Sequence, residues 1–247
     1  MVEHTRAHPR LTKQTPPGRR IGSLFLPEKL KLRSPVPLLV FFHGGDWLPE
    51  VAVARRSRMA VLTQPSTMKD PAKLTTLLNE AESAAGVKFA PLTLGGWSAG
   101  CGAIRELLKS PELYERTRAL LLIDGIHTDY AAPGINTEKL EVWVRFAREA
   151  IAGRRQMIVT HSEIFPGTFA STTETADYLL STLQIPRHAV LRWGPMRTQQ
   201  LSEARAGRFL VVGYAGNSAP DHVDQMHSLP KYLDWLNQKP LAANERK

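Results

Sequence analysis

Residues 91–107 read PLTLGGWSAGCGAIREL and run from an apolar strand through a glycine-rich turn into a helix. Gly96 and Gly100 flank Ser98 at a distance of two residues and leave room for the backbone to approach closely around it. The N-terminus of the helix that follows favours negative charge beside the serine. This stretch therefore predicts a sharp strand-to-helix turn that presents the Ser98 hydroxyl.

Apolar runs recur on both sides of this turn. Residues 36–43, VPLLVFFH, show no polar alternation, which is typical of a strand buried on both faces in a parallel sheet. Five further runs have the same character, at residues 58–62, 89–94, 118–123, 156–160 and 208–212. Helical patterns separate these runs, which predicts an α/β fold with a mostly parallel central sheet flanked by helices on both faces. In such sheets the ligand site lies at the carboxyl ends of the strands.

Helix boundaries are marked most clearly between Asp70 and Gly86. An N-cap, a first-turn proline and a C-terminal glycine bracket leucines at helical spacing. Thr137 is expected to cap a second helix that ends near Gly153. A third helix is expected to begin at residue 171 or 172.

Residues 185–207 form the least regular stretch and combine a short strand pattern with a Trp-Gly-Pro turn. We expect either an irregular insertion that forms one wall of the site or a packed surface loop. The chain between Asp124 and the next strand has room for one ordinary helix, so no large cap domain is expected. The site should be open, with Trp47, Trp97 and Trp193 as candidate substrate-binding residues at its edge.

The chain has 247 residues, of which 43% are hydrophobic and 22% charged, so one domain with a sizeable core is expected. It lacks an apolar run of about 18 residues that would predict a spanning helix, and its polar start carries no signal pattern. We therefore expect a cytoplasmic protein, or a secreted one whose signal has been removed. The single cysteine, Cys101, excludes an internal disulfide framework and a Cys-rich zinc site, and is expected to be a small core residue.

The net charge of +9 is concentrated near the N-terminus. Residues 1–33 contain eight of the 32 Lys and Arg residues but two of the 23 acidic ones. We predict a basic, flexible segment over residues 1–19 that is able to contact an anionic surface weakly, and a single domain over residues 20–247. The sequence contains no nucleic-acid-reading motif, no HExxH metal spacing and no GxxxxGK[ST] or GxGxxG nucleotide loop. Nucleic acid, metal ions and cofactors are therefore not expected to bind.

A serine hydroxyl becomes a good nucleophile only when a histidine accepts its proton and an acid orients that histidine. The reaction also needs N–H donors for the oxyanion, and His43-Gly44-Gly45 follows the first buried run. This HGG motif, GWSAG at residues 96–100 and a histidine after the last strand together resemble the α/β-hydrolase superfamily, from about residue 20 to the C-terminus. The resemblance implies hydrolysis of a carboxylic ester through an acyl-serine intermediate, without a cofactor.

The resemblance also implies an oxyanion hole built from the backbone N–H groups of Ala99 and Gly45, with Asp46 as an alternative donor. Asp46 stands where esterases with an HGGG motif have a third glycine, which sets this chain apart from that subgroup. His43 is then expected to brace the loop rather than to transfer protons.

Two acids and two histidines compete for the remaining positions of the triad. Asp124 ends the run RALLLI, whereas Glu163 lies beyond the end of QMIVT, and we favour Asp124 because it stands directly at the strand end. His222 and His227 both follow the last run, and we favour His222 because it is closer to the strand and lies in loop-like sequence. The predicted triad is Ser98, Asp124 and His222, with Glu163 and His227 as the alternatives.

A serine carboxylesterase acting on a small-molecule or acyl ester is the leading hypothesis. A peptidase or an acyltransferase of the same fold would use the same residues. A non-catalytic, hydrolase-like binding protein is an alternative of a different class. Such proteins commonly lack the nucleophile or the base, and both are present in this sequence.

Overall fold

A computed structural model describes residues 10–56 and 58–236. The strands in these ranges are β1 (Gly18–Ile21), β2 (Leu24–Pro27), β3 (Val36–Phe42), β4 (Ala60–Gln64), β5 (Phe89–Trp97), β6 (Thr117–Ile123), β7 (Tyr130–Ala131), β8 (Gly134–Ile135), β9 (Gln156–His161), β10 (His188–Trp193), β11 (Gln199–Ala206) and β12 (Phe209–Tyr214). The α-helices are α1 (Trp47–Ala54), α2 (Pro71–Ala85), α3 (Ala99–Leu107), α4 (Pro111–Arg116), α5 (Glu141–Ile151), α6 (Thr172–Thr182), α7 (Ala219–His227) and α8 (Leu229–Leu236).

Ten of these strands form one sheet in the order β1-β2-β4-β3-β5-β6-β9-β12-β11-β10. Its central strands, from β4 to β12, pair in parallel and correspond to the six apolar runs of the sequence. Antiparallel strands extend the sheet at both edges. The predicted mostly parallel α/β sheet is therefore confirmed.

Both faces of the sheet are buried, which explains the unbroken apolar run of β3. Leu38 and Val40 belong to one core cluster, together with residues of α2, α3, α5 and α6. Leu39 and Phe41 point to the other face and pack with residues of α1 and α8. Because each such side chain contributes about 1.5–3 kcal/mol when fully buried, neither face tolerates polar residues here.

The helix predicted between Asp70 and Gly86 is confirmed. The Asp70 carboxylate accepts hydrogen bonds from the N–H groups of Ala72 at 2.9 Å and Lys73 at 3.3 Å. Gly86 ends the helix in the left-handed conformation with φ of 69°, where a residue with a Cβ would be strained. The helix predicted after Thr137 begins as a 3-10 turn over Glu138–Leu140 and continues as α5.

Two segments are more regular than predicted. Residues 185–207, expected to be irregular, contain β10 and β11, which form an antiparallel hairpin at one edge of the sheet. At the other edge, β1 begins at Gly18, inside the segment predicted to be flexible. Residues 1–9 of that segment lie outside the described residues. The outermost strands β1 and β10 are mostly exposed, so neither leaves a clear hydrophobic pattern in the sequence.

No domain is inserted above the sheet between β6 and β9. Residues 124–155, all of them described, contain the small β7–β8 hairpin, the 3-10 turn and α5. None of the helices in the described residues is long and apolar enough to cross a membrane. This stretch therefore contains one helix of ordinary length and no large cap domain, as the sequence predicted.

Candidate active site

Ser98 occupies the turn between β5 and α3 in a strained backbone conformation. Its φ of 52° and ψ of −125° are rare for a residue with a side chain, and such strain is concentrated at functional sites. The Ser98 N–H donates to the carbonyl of Ile123 at 3.1 Å, and the Ser98 carbonyl accepts from the Cys101 N–H at 3.1 Å. These bonds to the neighbouring strand and to the following helix hold the turn in place.

The glycines around Ser98 are required by close backbone contacts. A Cβ on Gly100 would lie 2.1 Å from the carbonyl oxygen of Phe42, at the end of β3. A Cβ on Gly96 would lie 2.8 Å from the carbonyl carbon of Gly100, and one on Gly125 would lie 2.3 Å from the carbonyl oxygen of Ser98. The turn is therefore wedged between the ends of β3 and β6, which fixes the position of the serine.

Asp124 follows β6 directly and is 1% exposed. Its Oδ2 accepts hydrogen bonds from Nδ1 of His222 at 2.7 Å and from the hydroxyl of Ser162 at 2.7 Å. Its Oδ1 accepts from the backbone N–H of Ser162 at 2.8 Å and from the hydroxyl of Thr172 at 2.8 Å. Burial alone would raise the pKa of Asp124, but the hydrogen bonds from His222 and Ser162 and the charge of His222 outweigh it and lower the pKa. Asp124 is therefore an anion held ready beside the imidazole.

His222 is the fourth residue of α7, so the expectation that it lies in a loop is wrong. Ser218 and Asp221 form a capping box at the start of this helix, and Pro220 is compatible with its first turn. Because Nδ1 of His222 is bonded to Asp124, Nε2 is the nitrogen left to accept a proton. Within the described residues, no hydrogen bond joins this ring to Ser98, and such contacts often tighten only when substrate binds.

Ser98 and His222 line the same cavity, whose volume is about 290 Å³. Much of its wall comes from the loop between β9 and α6, including Ile164, Pro166 and Phe169. Asp124, His127, Ser162, Thr172, Asn217, Ser218 and Ala219 complete the lining. The sequence did not identify this loop or the roles of Ser162 and Thr172, although two phenylalanines in a loop at a strand's carboxyl end offered a signal.

The HGG motif lies beside the serine turn. Phe42 of β3 is in register with Gly96 of β5, so the residues that follow the two strands are neighbours at the edge of the sheet. Ala99 is the first residue of α3, where an N–H has no intrahelical acceptor. Gly45 and Asp46 lie in the exposed loop that leads into α1. The two predicted donors thus belong to adjacent segments, and Asp46, as the N-cap of α1, remains the alternative to Gly45.

The three predicted substrate-binding tryptophans lie outside the lining of the cavity. Trp193 is 74% exposed, at the end of β10, and borders a different cavity. The ring of Trp47 packs at 6.0 Å from that of His227. Trp97 packs against His222, and its indole N–H donates to the His222 carbonyl at 2.9 Å.

The alternative acid and base occupy other places. Glu163 is exposed, and its carboxylate accepts from the Gly216 N–H at 3.4 Å. Nδ1 of His227 accepts the N–H of Leu11 at 3.1 Å. Cys101 is buried in the core, as predicted, and burial raises the pKa of its thiol. The described residues contain no group of three or more His, Cys, Asp and Glu side chains arranged to hold a metal ion.

No protein-family model matches the sequence, and no curated protein matches it either. Solved structures share its architecture. An acetyl xylan esterase from Aspergillus awamori superposes with a TM-score of 0.50 at 12% identity, over 87% of this chain and 92% of that one. An esterase from Pyrobaculum calidifontis gives 0.52 at 11% identity, over 87% and 79% of the two chains. The product of the gene lin2722 from Listeria innocua gives 0.51 at 14% identity, over 86% and 97%. The resemblance seen in the sequence is confirmed at the level of the fold, and the chain has the α/β-hydrolase fold.

Proposed function

We propose that this protein is a serine hydrolase that cleaves carboxylic esters through an acyl-serine intermediate, with Ser98, His222 and Asp124 as its triad. The observation that carries the proposal is the 2.7 Å hydrogen bond between His222 and the buried Asp124, in the cavity that Ser98 also lines. A strained serine, an oriented imidazole and a buried anion in one cavity are the parts that acyl transfer requires.

Each step follows from this arrangement. His222 Nε2 takes the proton of Ser98 Oγ as the oxygen attacks the ester carbonyl, and Asp124 stabilises the imidazolium that forms. The negative charge on the carbonyl oxygen is stabilised by the N–H groups of Ala99 and of Gly45 or Asp46. The imidazolium then gives its proton to the departing alcohol. Water, deprotonated by His222, attacks the acyl-serine, and the imidazolium returns the proton to Ser98 Oγ as the carboxylic acid is released.

The cavity supports a small ester as substrate. Its volume of about 290 Å³ lies at the lower end of the range for ligand pockets. Ile164, Pro166 and Phe169 provide an apolar wall for a short acyl group. Esterase is also the activity named for two of the proteins that share the fold. We expect acetyl to butyryl esters to react faster than esters of long fatty acids.

A fluorophosphonate probe, which reacts with activated serines, tests the proposal. Wild type should be labelled and should hydrolyse p-nitrophenyl acetate, and Ser98→Ala should lose both properties. Ser110→Ala is the matched control, because Ser110 also precedes a helix but lies outside the cavity. An unlabelled wild type that is inert on all esters would contradict the proposal, and labelling retained in Ser98→Ala would contradict the choice of nucleophile.

Assays with other substrates and acceptors distinguish the related activities. A peptidase would cleave p-nitroanilides at rates comparable with the esters, and an acyltransferase would transfer the acyl group to an added alcohol in preference to water. A non-catalytic binding protein would bind the probe, if at all, without forming a covalent bond. Each alternative therefore has a distinct outcome in assays on the same protein.

A further inference from the structure

Trp97 contacts two imidazole rings. It is the last residue of β5 and directly precedes Ser98. One side of its indole stacks on His43, with ring centroids 5.3 Å apart and planes 13° apart. The His222 ring lies 4.5 Å from the indole centroid at an interplanar angle of 33°. The indole N–H also donates to the main-chain carbonyl of His222 at 2.9 Å.

We propose that Trp97 is a positioning residue that orients His222 for proton transfer and stabilises its imidazolium through the face of the indole. This inference rests on the proposed function, because it concerns the base of that reaction. The hydrogen bond to the His222 carbonyl fixes the turn of α7 that carries the ring. The tilted contact, with ring centroids 4.5 Å apart, lies within the distance at which an indole face attracts a cation.

The other titratable groups around His222 do not take up the proton that His222 receives during the reaction. Asp124 is the anion bonded to Nδ1. Burial and the charge of His222 both lower the pKa of His43, which follows β3 and stacks on the indole. Burial is also the main cause that lowers the pKa of His127, which follows β6, and the charge of His222 acts in the same direction. His43 and His127 therefore stay neutral around pH 7, and the proton taken up during the reaction resides on His222.

Trp97 also links the three segments that build the site. A Cβ on Gly44 of the HGG motif would lie 2.6 Å from Sδ of Met226 in α7 and 3.9 Å from Cε3 of Trp97. The HGG loop, the serine turn and α7 therefore meet around the indole. A smaller side chain at position 97 would remove both the hydrogen bond and the surface against which the His222 ring is aligned.

Two substitutions separate the two effects. Trp97→Phe keeps an aromatic face and loses the N–H donor, so we expect kcat to fall about fivefold, the equivalent of one ordinary hydrogen bond. Trp97→Leu loses both, so we expect a further fall in kcat. The acid limb of its kcat/KM profile should also move by about half a pH unit toward lower pH, because protonated His222 is less stable without the indole. Trp235→Leu is the control for removing a half-buried tryptophan elsewhere.

The wild type serves as the reference for the outcome. If wild type hydrolyses p-nitrophenyl acetate but both variants keep its kcat and its pH profile, the positioning role is wrong while the proposed function stands. A rise in KM at unchanged kcat would also overturn it and make Trp97 a substrate contact. If Trp97→Leu does not fold, Trp97→Phe carries the test: a fall in kcat at unchanged KM supports the positioning role, and an unchanged kcat overturns it. An inert wild type would contradict the proposed function itself.

Discussion

Replacing Asp124 by asparagine tests the interaction on which the proposed chemistry depends most. The carboxylate accepts four hydrogen bonds, two at each oxygen. Asparagine has the same shape, but its NH₂ group only donates. The amide oxygen is expected to stay at the Oδ1 position, because the backbone N–H of Ser162 points there, cannot rotate, and needs an acceptor. The NH₂ group then faces Nδ1 of His222.

The substitution changes the tautomer of His222. Facing an NH₂ group, Nδ1 must become the acceptor, so the ring proton moves to Nε2, which is the atom that has to receive the proton of Ser98. A triad with this wrong tautomer loses about 10⁴-fold in turnover, which corresponds to about 5.5 kcal/mol. The free energy of unfolding should fall by about 1–3 kcal/mol, because charge-assisted hydrogen bonds are replaced by neutral ones. The loss of activity should therefore far exceed the loss of stability.

The assay is kcat/KM for p-nitrophenyl acetate, measured beside urea unfolding of the same preparations. Glu163→Gln is the matched control, because its exposed carboxylate makes a 3.4 Å contact with the Gly216 N–H. We expect it to keep kcat/KM within about threefold, since exposed contacts of this kind contribute little. Asp124 is not the triad acid if Asp124→Asn retains more than about a tenth of the wild-type kcat/KM, or if Glu163→Gln is the variant that loses most of its kcat/KM.

Two further predictions concern stability. Burial and the charge of Arg187 lower the pKa of His161 from 6.5 to about 4, and its neutral Nε2 accepts from Arg187 at 2.7 Å. The unfolded chain binds the proton at higher pH than the folded one, so the free energy of unfolding should fall by about 3 kcal/mol as the pH drops from 6.5 to 4. Urea titrations should show a loss that is about 3 kcal/mol larger in wild type than in His161→Gln, because His43 and His127 contribute equally to both, and equal losses in the two proteins would contradict the prediction. Arg155 is 4% exposed and donates to Glu149 at 2.6 Å and to the Tyr114 carbonyl at 2.7 Å. Arg155→Met should lower the free energy of unfolding by about 3–5 kcal/mol and Tm by about 10 °C, with a smaller change in Arg155→Lys, and calorimetry that finds both variants as stable as wild type would exclude this.

The parallel strands were predictable because burial on both faces leaves a strong signal. In β3, neighbouring residues such as Leu38 and Leu39 belong to opposite core clusters, so every position must be apolar. The edge hairpin of residues 185–207 gave no such signal, because five of the six residues of β10 are exposed. Its regularity comes from pairing with β11, a contact that local sequence does not encode.

The residues of the site also fall into those that local sequence predicts and those that it does not. The serine turn was readable because its glycines meet local steric demands, and Asp124 because it ends a buried strand. Ser162 and Thr172, which complete the bonding of the carboxylate, lie 38 and 48 residues further along the chain. Nothing in their local sequence indicates that contact. The position of His222 was misread as a loop because a proline precedes it, although proline is well suited to the first turn of a helix.

Part of the positive charge near the N-terminus forms an ion pair within the fold. Arg10 donates to the buried carboxylate of Asp224 in α7 at 2.7 Å, and Leu11 donates its N–H to His227 in the same helix. His227 is therefore occupied at Nδ1 by the main chain, which supports His222 as the base. Since α7 carries His222, residues 10–11 help to hold the helix on which proton transfer would depend. Contact of the basic segment with an anionic surface stays a prediction, and the Arg10 charge is already committed to Asp224.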